Sequence, residues 1–250
     1  DSLENIFFCA RDRLGVKPFY FTSNEKINFH ASSEIQAISN FSKENLNLNY
    51  VKNYLETSFY DYGDETFFNN IYQLLPGSYL KYQIDNKKIE ITKYWNLKKN
   101  FKKSDLNEQQ ILKLGYELIE SCFKFQVRTD TKLGLNLSSG IDSQVMLYFV
   151  NKINNGQKDI SANSFYFDNE KYNEKPDLEE FSKKFNWKVK FFKITEEDVI
   201  SNFDKVLKAQ EGPFPGLPTI GKQLLIERAY DKDCKVILEA QGGDDIAGGY

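Results

Sequence analysis

An α/β protein, with a parallel sheet flanked by helices and a β-rich segment before it, is the fold class this 250-residue chain predicts. Three observations carry that expectation. Beyond residue 132, short apolar runs alternate with longer amphipathic ones, the rhythm of strands joined through helices. Before residue 100, the runs are short or strictly alternating and are separated by turn residues, as in an antiparallel sheet. The 40% hydrophobic content over this length leaves room for one large core or two modest ones.

In chain order, "NIFFCA", "PFYF" and "KINFHA" within residues 1–40 read as strands. "SSEIQAIS" (32–39) reads as a helical turn with Ser32 or Ser33 as its cap. An Asn-rich polar stretch at 42–49 marks a boundary, and "VKNYLETSFY" is helical in pattern. "GSYLKYQI" and "IEITKYW" alternate on both sides of the polar turn "DNKK", which predicts a hairpin over 77–95. "KKNFKKSDLN" is a second linker. Ile111, Leu114, Leu118, Cys122 and Phe125 then recur at three- and four-residue intervals, predicting an amphipathic helix over 108–127.

The remaining elements alternate. Strands are expected at 133–137, 161–167, 188–194 and 235–240. Between them stand helices at "SQVMLYFVNKI", at "KPDLEEFSKKF" with Pro176 in its first turn, at "TEEDVISNFDKVLKAQ" behind Thr195, and at "PTIGKQLLIERAY".

Composition narrows the function classes. The formal net charge is −3, so no polyanion-binding surface is expected, and the Lys-Lys pairs at 87–88, 98–99 and 102–103 read as solvated faces. Cys9, Cys122 and Cys234 lie far apart and His30 is the only histidine, so no thiolate or imidazole metal site is expected. The longest apolar run, "VMLYFV", falls far short of the ~20 residues a bilayer demands, and no signal peptide is visible. The expectation is a cytoplasmic protein without nucleic-acid or membrane partners. Asp1 in place of Met, and a final stretch dense in glycine and acid, are expected of a window from a longer chain.

Chemistry concentrates at "GLNLSSGIDSQVMLYFV" (134–150). Ser138, Ser139, Gly140, Asp142 and Ser143 stand between an expected strand and an expected helix, where ligands bind in open parallel sheets. Gly140 lets backbone approach an anion, and amides of the loop and first helical turn donate to it. Asp142 repels a bare phosphate but suits a Mg²⁺ bridging to one, so the joint reads as a Mg–nucleotide phosphate cradle. Local capping is the alternative, because Ser139-x-x-Asp142 also fits a capping box. A second loop of like chemistry, "ILEAQGGDDIAGGY", follows another expected strand; the two loops, roughly a hundred residues apart, are expected to face one metal-pyrophosphate, which favours the cradle.

"LSSGIDS" resembles the SGGxDS loop of the ATP pyrophosphatases. "EAQGGDDIAGGY" resembles the second motif of the glutamine-dependent asparagine synthetase family. "ARDRLGVKPFYF" and "ASSEIQAI" resemble the closing strands of that family's glutaminase domain, "LLPGSYL" with "KYW" its inter-domain hairpin, and "EGPF" the loop before the second motif. The likeness runs in order along nearly the whole chain. It implies an adenine nucleotide alpha-hydrolase-like sheet preceded by the C-terminal part of a β-rich glutaminase domain. The expected partition is 1–45 for that glutaminase portion, 46–105 for a linker helix and hairpin, and 106–250 for the N-terminal portion of the synthetase domain.

The resemblance further implies an amidotransferase. ATP with Mg²⁺ activates a small-molecule carboxylate as an acyl-adenylate, and ammonia, free or from glutamine, makes the amide. The implied nucleotide-binding residues are Leu137, Ser138, Ser139, Gly140, Asp142 and Ser143, with Phe165 offering backbone to adenine and Glu239 and Ala240 lining the pocket. Asp142 and Asp244 are the implied metal ligands, and Asp142, Asp244 and Gln241 the implied catalytic set. A homodimer is compatible with the family pattern. The chain departs from the pattern at Ser139, at Glu239-Ala240-Gln241 where Ser-Gly-acid is commoner, and at Asp245 where Glu is usual. Asp1 is not the N-terminal cysteine the family uses to hydrolyse glutamine, and Cys9 lies in an expected strand. Two alternatives stand: an adenylating ATP pyrophosphatase without a glutaminase, and a degenerate relative that only binds nucleotide. The Arg11-Asp12-Arg13 segment is expected to be a structured inter-domain turn in which an arginine fork pairs with a carboxylate, a surface pair being the alternative.

Overall fold

A computed structural model describes residues 1–22, 29–42, 46–100, 103, 105–155, 159–170 and 173–247. The chain divides into two compact units, Asp1–Ser104 and Asp105–Tyr250.

In the first unit, β1 (Ile6–Ala10), β2 (Tyr20–Thr22) and β3 (His30–Ser32) precede helices α1 (Ile35–Ser42) and α2 (Leu48–Thr57). Strands β4 (Tyr72–Gln73), β5 (Ser78–Gln83) and β6 (Lys88–Lys93) and the short α3 (Leu97–Asn100) follow. Among the described residues they form two antiparallel sheets, ordered β1-β5-β6 and β3-β2-β4. The hairpin assigned to a linker is thus paired with the earlier strands: β5 pairs with β1 from Ile6↔Gln83 to Ala10↔Tyr79, and β4, just before the hairpin, pairs with β2. Burial in β5 alternates residue by residue, which is why its period-2 pattern was legible. Phe21, Leu74, Leu80 and Tyr82 form the core between the sheets.

The Arg11 turn is structured, but not by the expected pairing. The Arg11 guanidinium donates to the carbonyls of Lys17, Leu74 and Gly15 at 3.0, 2.7 and 3.0 Å and to Gln73 Oε1 at 3.1 Å. Asp12 instead accepts the amides of Leu14, Val16 and Lys17, and these backbone bonds, led by that of Lys17, hold its carboxyl below the usual range. Five donors in a fixed fork satisfy a ring of carbonyls that one ammonium cannot reach together, so arginine is required here for turn geometry.

The second unit opens with α4 (Glu108–Gln126), capped by a reciprocal Asn107–Gln110 box. Its expected apolar stripe is not its packed edge. Ile111, Leu114, Leu118 and Phe125 are 44–64% exposed, while Tyr116 and Phe123 meet Phe149 at 5.0 and 5.6 Å between ring centres.

There follow β7 (Lys132–Asn136), α5 (Ile141–Asn154), β8 (Ile160–Tyr166), α6 (Lys175–Lys184), β9 (Val189–Lys193), α7 (Glu196–Gln210), α8 (Leu217–Ala229), β10 (Cys234–Glu239) and α9 (Gly243–Ala247). Among the described residues the strands form one parallel sheet ordered β10-β7-β8-β9. Leu135, Leu137, Met146, Leu147, Val150, Ala162 and Leu178 bury one face, each such side chain contributing about 1.5–3 kcal/mol where fully buried and large. Ile194, Val206, Ile220 and Leu224, with Phe165, form a second cluster that includes α7 and α8. No helix among the described residues is long and apolar enough to cross a membrane.

A close approach fixes α8 against the sheet. The Tyr230 ring lies over Gly134, where an added Cβ would stand 2.1 Å from Tyr230 Cε1. The Tyr230 hydroxyl donates to Leu135 O and Asn136 Oδ1 at 2.9 and 2.7 Å, and burial pushes its pKa up to about 12. Gly134→Ala is expected to destabilise the protein by about 1–3 kcal/mol through overpacking. Thermal denaturation checks this, with an expected fall in Tm of roughly 2–10 °C.

Thr195 caps α7 in a reciprocal box with Asp198, whose carboxylate also pairs with Arg228. That pairing, with the Thr195 bonds, lowers the Asp198 pKa from 3.8 to about 2. A depressed folded-state pKa stabilises above the unfolded value and is lost as pH falls through the folded one. The stability margin of wild type over Asp198→Asn is therefore expected to shrink between pH 3.8 and about 2 in acid denaturation.

Candidate functional site

Strand order reverses at β7. The chain proceeds from β7 outward through β8 to β9, then returns to lay β10 on the other side of β7. In open parallel sheets, such a reversal leaves a crevice beyond the carboxyl ends of the two strands. The two loops singled out in the sequence are the ones leaving β7 and β10.

The first loop folds on itself. Gly140 is the N-cap of α5 with φ −60° and ψ 152° and makes no side-chain cap bond, so the capping-box alternative does not form. Ser143 is buried; its Oγ accepts the Ser138 N–H at 3.1 Å and lies 2.9 Å from Ser138 Oγ. Ser143 therefore braces the loop from inside, while Ser138 is exposed. Gln144 Nε2 donates to Ser139 O at 2.8 Å and closes the turn. The amides of the first turn of α5 have no intrahelical acceptor and point, with the helix dipole, out of the loop.

Asp142, freed from capping, reaches the second loop. Its Oδ2 accepts the Gly243 N–H at 3.0 Å, across 101 residues of sequence. The approach is so close that a Cβ on Gly243 would stand 2.1 Å from Asp142 Oδ1. Gly242 just before it has φ 86°, a left-handed conformation that L side chains rarely adopt. Asp244 and Asp245 follow in the first turn of α9; Asp244 is half-buried and Asp245 exposed. Gln241 is exposed, and Gly248, Gly249 and Tyr250 lie outside the described residues.

The other expected site residues divide by atom. Leu137 is buried in the core and presents only backbone, its N–H donating to Asn163 O at 2.9 Å. Phe165 sends its ring into the cluster with Ile220 and Leu224, where a Cβ on Gly221 would meet it at 2.5 Å, so its backbone alone is at the strand end. Ala240 packs on the sheet core. Glu239 accepts from Asn136 Nδ2 across the β7–β10 pair and from Lys222 Nζ at 3.2 Å.

Among the described residues no group of three or more His, Cys, Asp and Glu side chains is arranged to hold a metal. A nucleotide-borne Mg²⁺ needs only one or two carboxylates, its other ligands being phosphate oxygens and water. Asp142 meets that requirement, since the amide bond to Oδ2 leaves Oδ1 as an acceptor toward a cation.

Three contributors were not singled out in the sequence. Glu174, at the N-cap of α6, accepts the Ser139 N–H at 2.8 Å; Asn136 and Lys222 hold Glu239. Glu174 stood in a pattern readable only as a helix start, and Lys222 in one readable only as a helix.

A family model described as asparagine synthase matches residues 115–250, and one described as a glutamine amidotransferase domain matches residues 1–95. A putative glutamine-hydrolysing asparagine synthetase 2 of Methanocaldococcus jannaschii is 27% identical over 256 residues, covering 100% of this chain and 48% of that protein. Amidase chyE of Penicillium rubens is 25% identical over 265 residues, covering 100% of this chain and 38% of that protein. Among solved structures, a glutamine-dependent NAD+ synthetase from Acinetobacter baumannii, in complex with ADP, is similar at TM-score 0.39 and 14% identity, over 74% of this chain and 32% of that one. The chain thus spans about half or less of the length of these curated relatives.

Proposed function

The chain belongs to the asparagine synthase family, and from that premise we propose that the protein carrying it is an ATP-dependent amidotransferase. It activates a carboxylate as an acyl-adenylate, releases pyrophosphate, and amidates the activated acyl group with ammonia drawn from glutamine. The observation that supports this reading best is the Asp142–Gly243 contact, which joins two glycine- and acid-bearing loops beyond adjacent parallel strands.

In this reading the substrate carboxylate attacks the α-phosphorus, and the bond to the β-phosphate bridging oxygen breaks. Charge then accumulates on the departing pyrophosphate. Amides at the start of α5 and the Ser138 hydroxyl donate to it, and fixed donors of this kind stabilise charge without reorganising. Asp142 and Asp244 would hold Mg²⁺, which supplies further neutralisation of the leaving group. Ammonia attacks the acyl carbon, and AMP departs. Leu137, Phe165 and Ala240 line the nucleotide with backbone or apolar surface, and Glu239 sits at its rim.

Glutamine hydrolysis calls for a thiol of low pKa. Cys9 does not supply it, because it lies in β1 and burial pushes its thiol up.

The test is pyrophosphate release by the intact protein with ATP, Mg²⁺ and a panel of small carboxylates, with ammonia or glutamine as donor. Release dependent on one acceptor supports the reading. ATP binding without release for any acceptor favours the nucleotide-binding alternative, to which the uncharged Gln241 points, since an amide cannot take up a proton as a carboxylate does.

A further inference from the structure

One amide of the loop after β7 already faces an anion. Glu174 Oε2 accepts the Ser139 N–H at 2.8 Å, from an element 35 residues further along the chain. Glu174 is exposed at the N-cap of α6 and caps no amide of its own helix. The adjacent Lys175 ammonium is directed elsewhere, 3.8 Å from Glu179 and 5.0 and 5.4 Å from the Tyr166 and Phe191 ring centres.

We propose that Glu174 is a positioning residue: it holds the Ser139 amide in donor orientation in the free protein and yields that amide to a phosphate oxygen of the nucleotide. This deepens the proposed function and rests on it. One N–H serves one strong acceptor, and a carboxylate and a phosphate are both acceptors only, so the two anions cannot share Ser139. Their mutual repulsion at such range makes displacement of Glu174 part of ligand entry. Because Glu174 is exposed, its carboxylate swings into water without a burial penalty. The loop is thereby kept from collapsing onto its own free amides before the nucleotide arrives.

The experiment measures Kd for Mg²⁺–pyrophosphate, and KM and kcat for ATP, on the intact wild-type protein and its E174Q and E180Q variants. E174Q keeps the size and one acceptor oxygen but removes the charge that competes with phosphate. E180Q removes the same charge from an exposed position on the same helix, where Glu180 lies 3.6 Å from Lys184. E174Q is expected to tighten Kd and lower KM by about three- to tenfold, with kcat changed by less than about twofold, and E180Q to leave all three near wild type. A Kd for E174Q equal to or weaker than wild type, or an equal tightening in E180Q, overturns the inference while leaving the nucleotide site standing. Failure of wild type and E174Q alike to bind pyrophosphate overturns the site reading and this inference with it.

Discussion

Asp142→Asn is expected to lower ATP-dependent pyrophosphate release by about a hundredfold or more while the protein stays folded. The substitution is isosteric, and the asparagine carbonyl can still accept the Gly243 N–H that Asp142 accepts at 3.0 Å. Exchanging a charged acceptor for a neutral one there changes stability by only about 1 kcal/mol. What disappears is the negative charge that, in the proposed mechanism, holds a divalent cation against the triphosphate. Loss of one preorganised electrostatic contact of this kind is worth about 2.7–4 kcal/mol in the transition state, which sets the expected factor. Thermal denaturation beside a pyrophosphate assay separates the two effects. Release above about a tenth of wild type would remove Asp142 from that role.

Gly243→Ala is the second large effect, and its logic is steric. The new methyl would stand 2.1, 2.3 and 2.4 Å from Oδ1, Oδ2 and Cγ of Asp142, so the carboxylate must leave its place. Alanine is intrinsically favoured over glycine in a helix by roughly 0.5–1 kcal/mol, which offsets part of an overpacking cost of about 1–3 kcal/mol. The expected net change in stability is therefore about 2 kcal/mol or less, whereas pyrophosphate release should fall nearly as far as in Asp142→Asn. An alanine variant that keeps wild-type turnover would show that the contact between the loops has no part in the chemistry.

Much of the architecture was legible because its signals are local. Thr195 and Pro176 announce the first turns of α7 and α6, and the structure has a reciprocal cap at the one and proline in the first turn of the other. The alternation in 77–95 foretells a hairpin because one face of β5 is buried and the other is not. Local patterns also mislead where two arrangements share them. Ser139-x-x-Asp142 satisfies the spacing of a capping box, yet the structure makes Gly140 the N-cap of α5 and sends Asp142 to another loop. Helical spacing in α4 shows that an apolar stripe exists, not which residues meet α5. The Arg11 fork was foreseen as structural, but its acceptors are carbonyls contributed by segments that no spacing rule connects.

At the site, residue chemistry was readable and the meeting of the two loops was expected from their like chemistry, but the contact that joins them was not. Gly140, Asp142, Gly243 and Asp244 declare themselves by type at the ends of strands. That β10 lies beside β7, bringing Gly243 to Asp142, depends on sheet order, which leaves no periodic trace. Glu174 and Lys222 act through contacts spanning 35 and 17 residues and sit in segments whose pattern only reports a helix.

The most direct test of the central claim, that the two loops serve one triphosphate through a shared divalent ion, is a double-mutant cycle. Kd for Mg²⁺–pyrophosphate is measured for wild type, Asp142→Asn, Asp244→Asn and the double variant. Each single variant is predicted to weaken binding by about ten- to a hundredfold and the double little further, a coupling of at least about 1 kcal/mol. Losses that simply add, within about 0.5 kcal/mol, would mean that the two carboxylates act on separate ligands and would contradict the account.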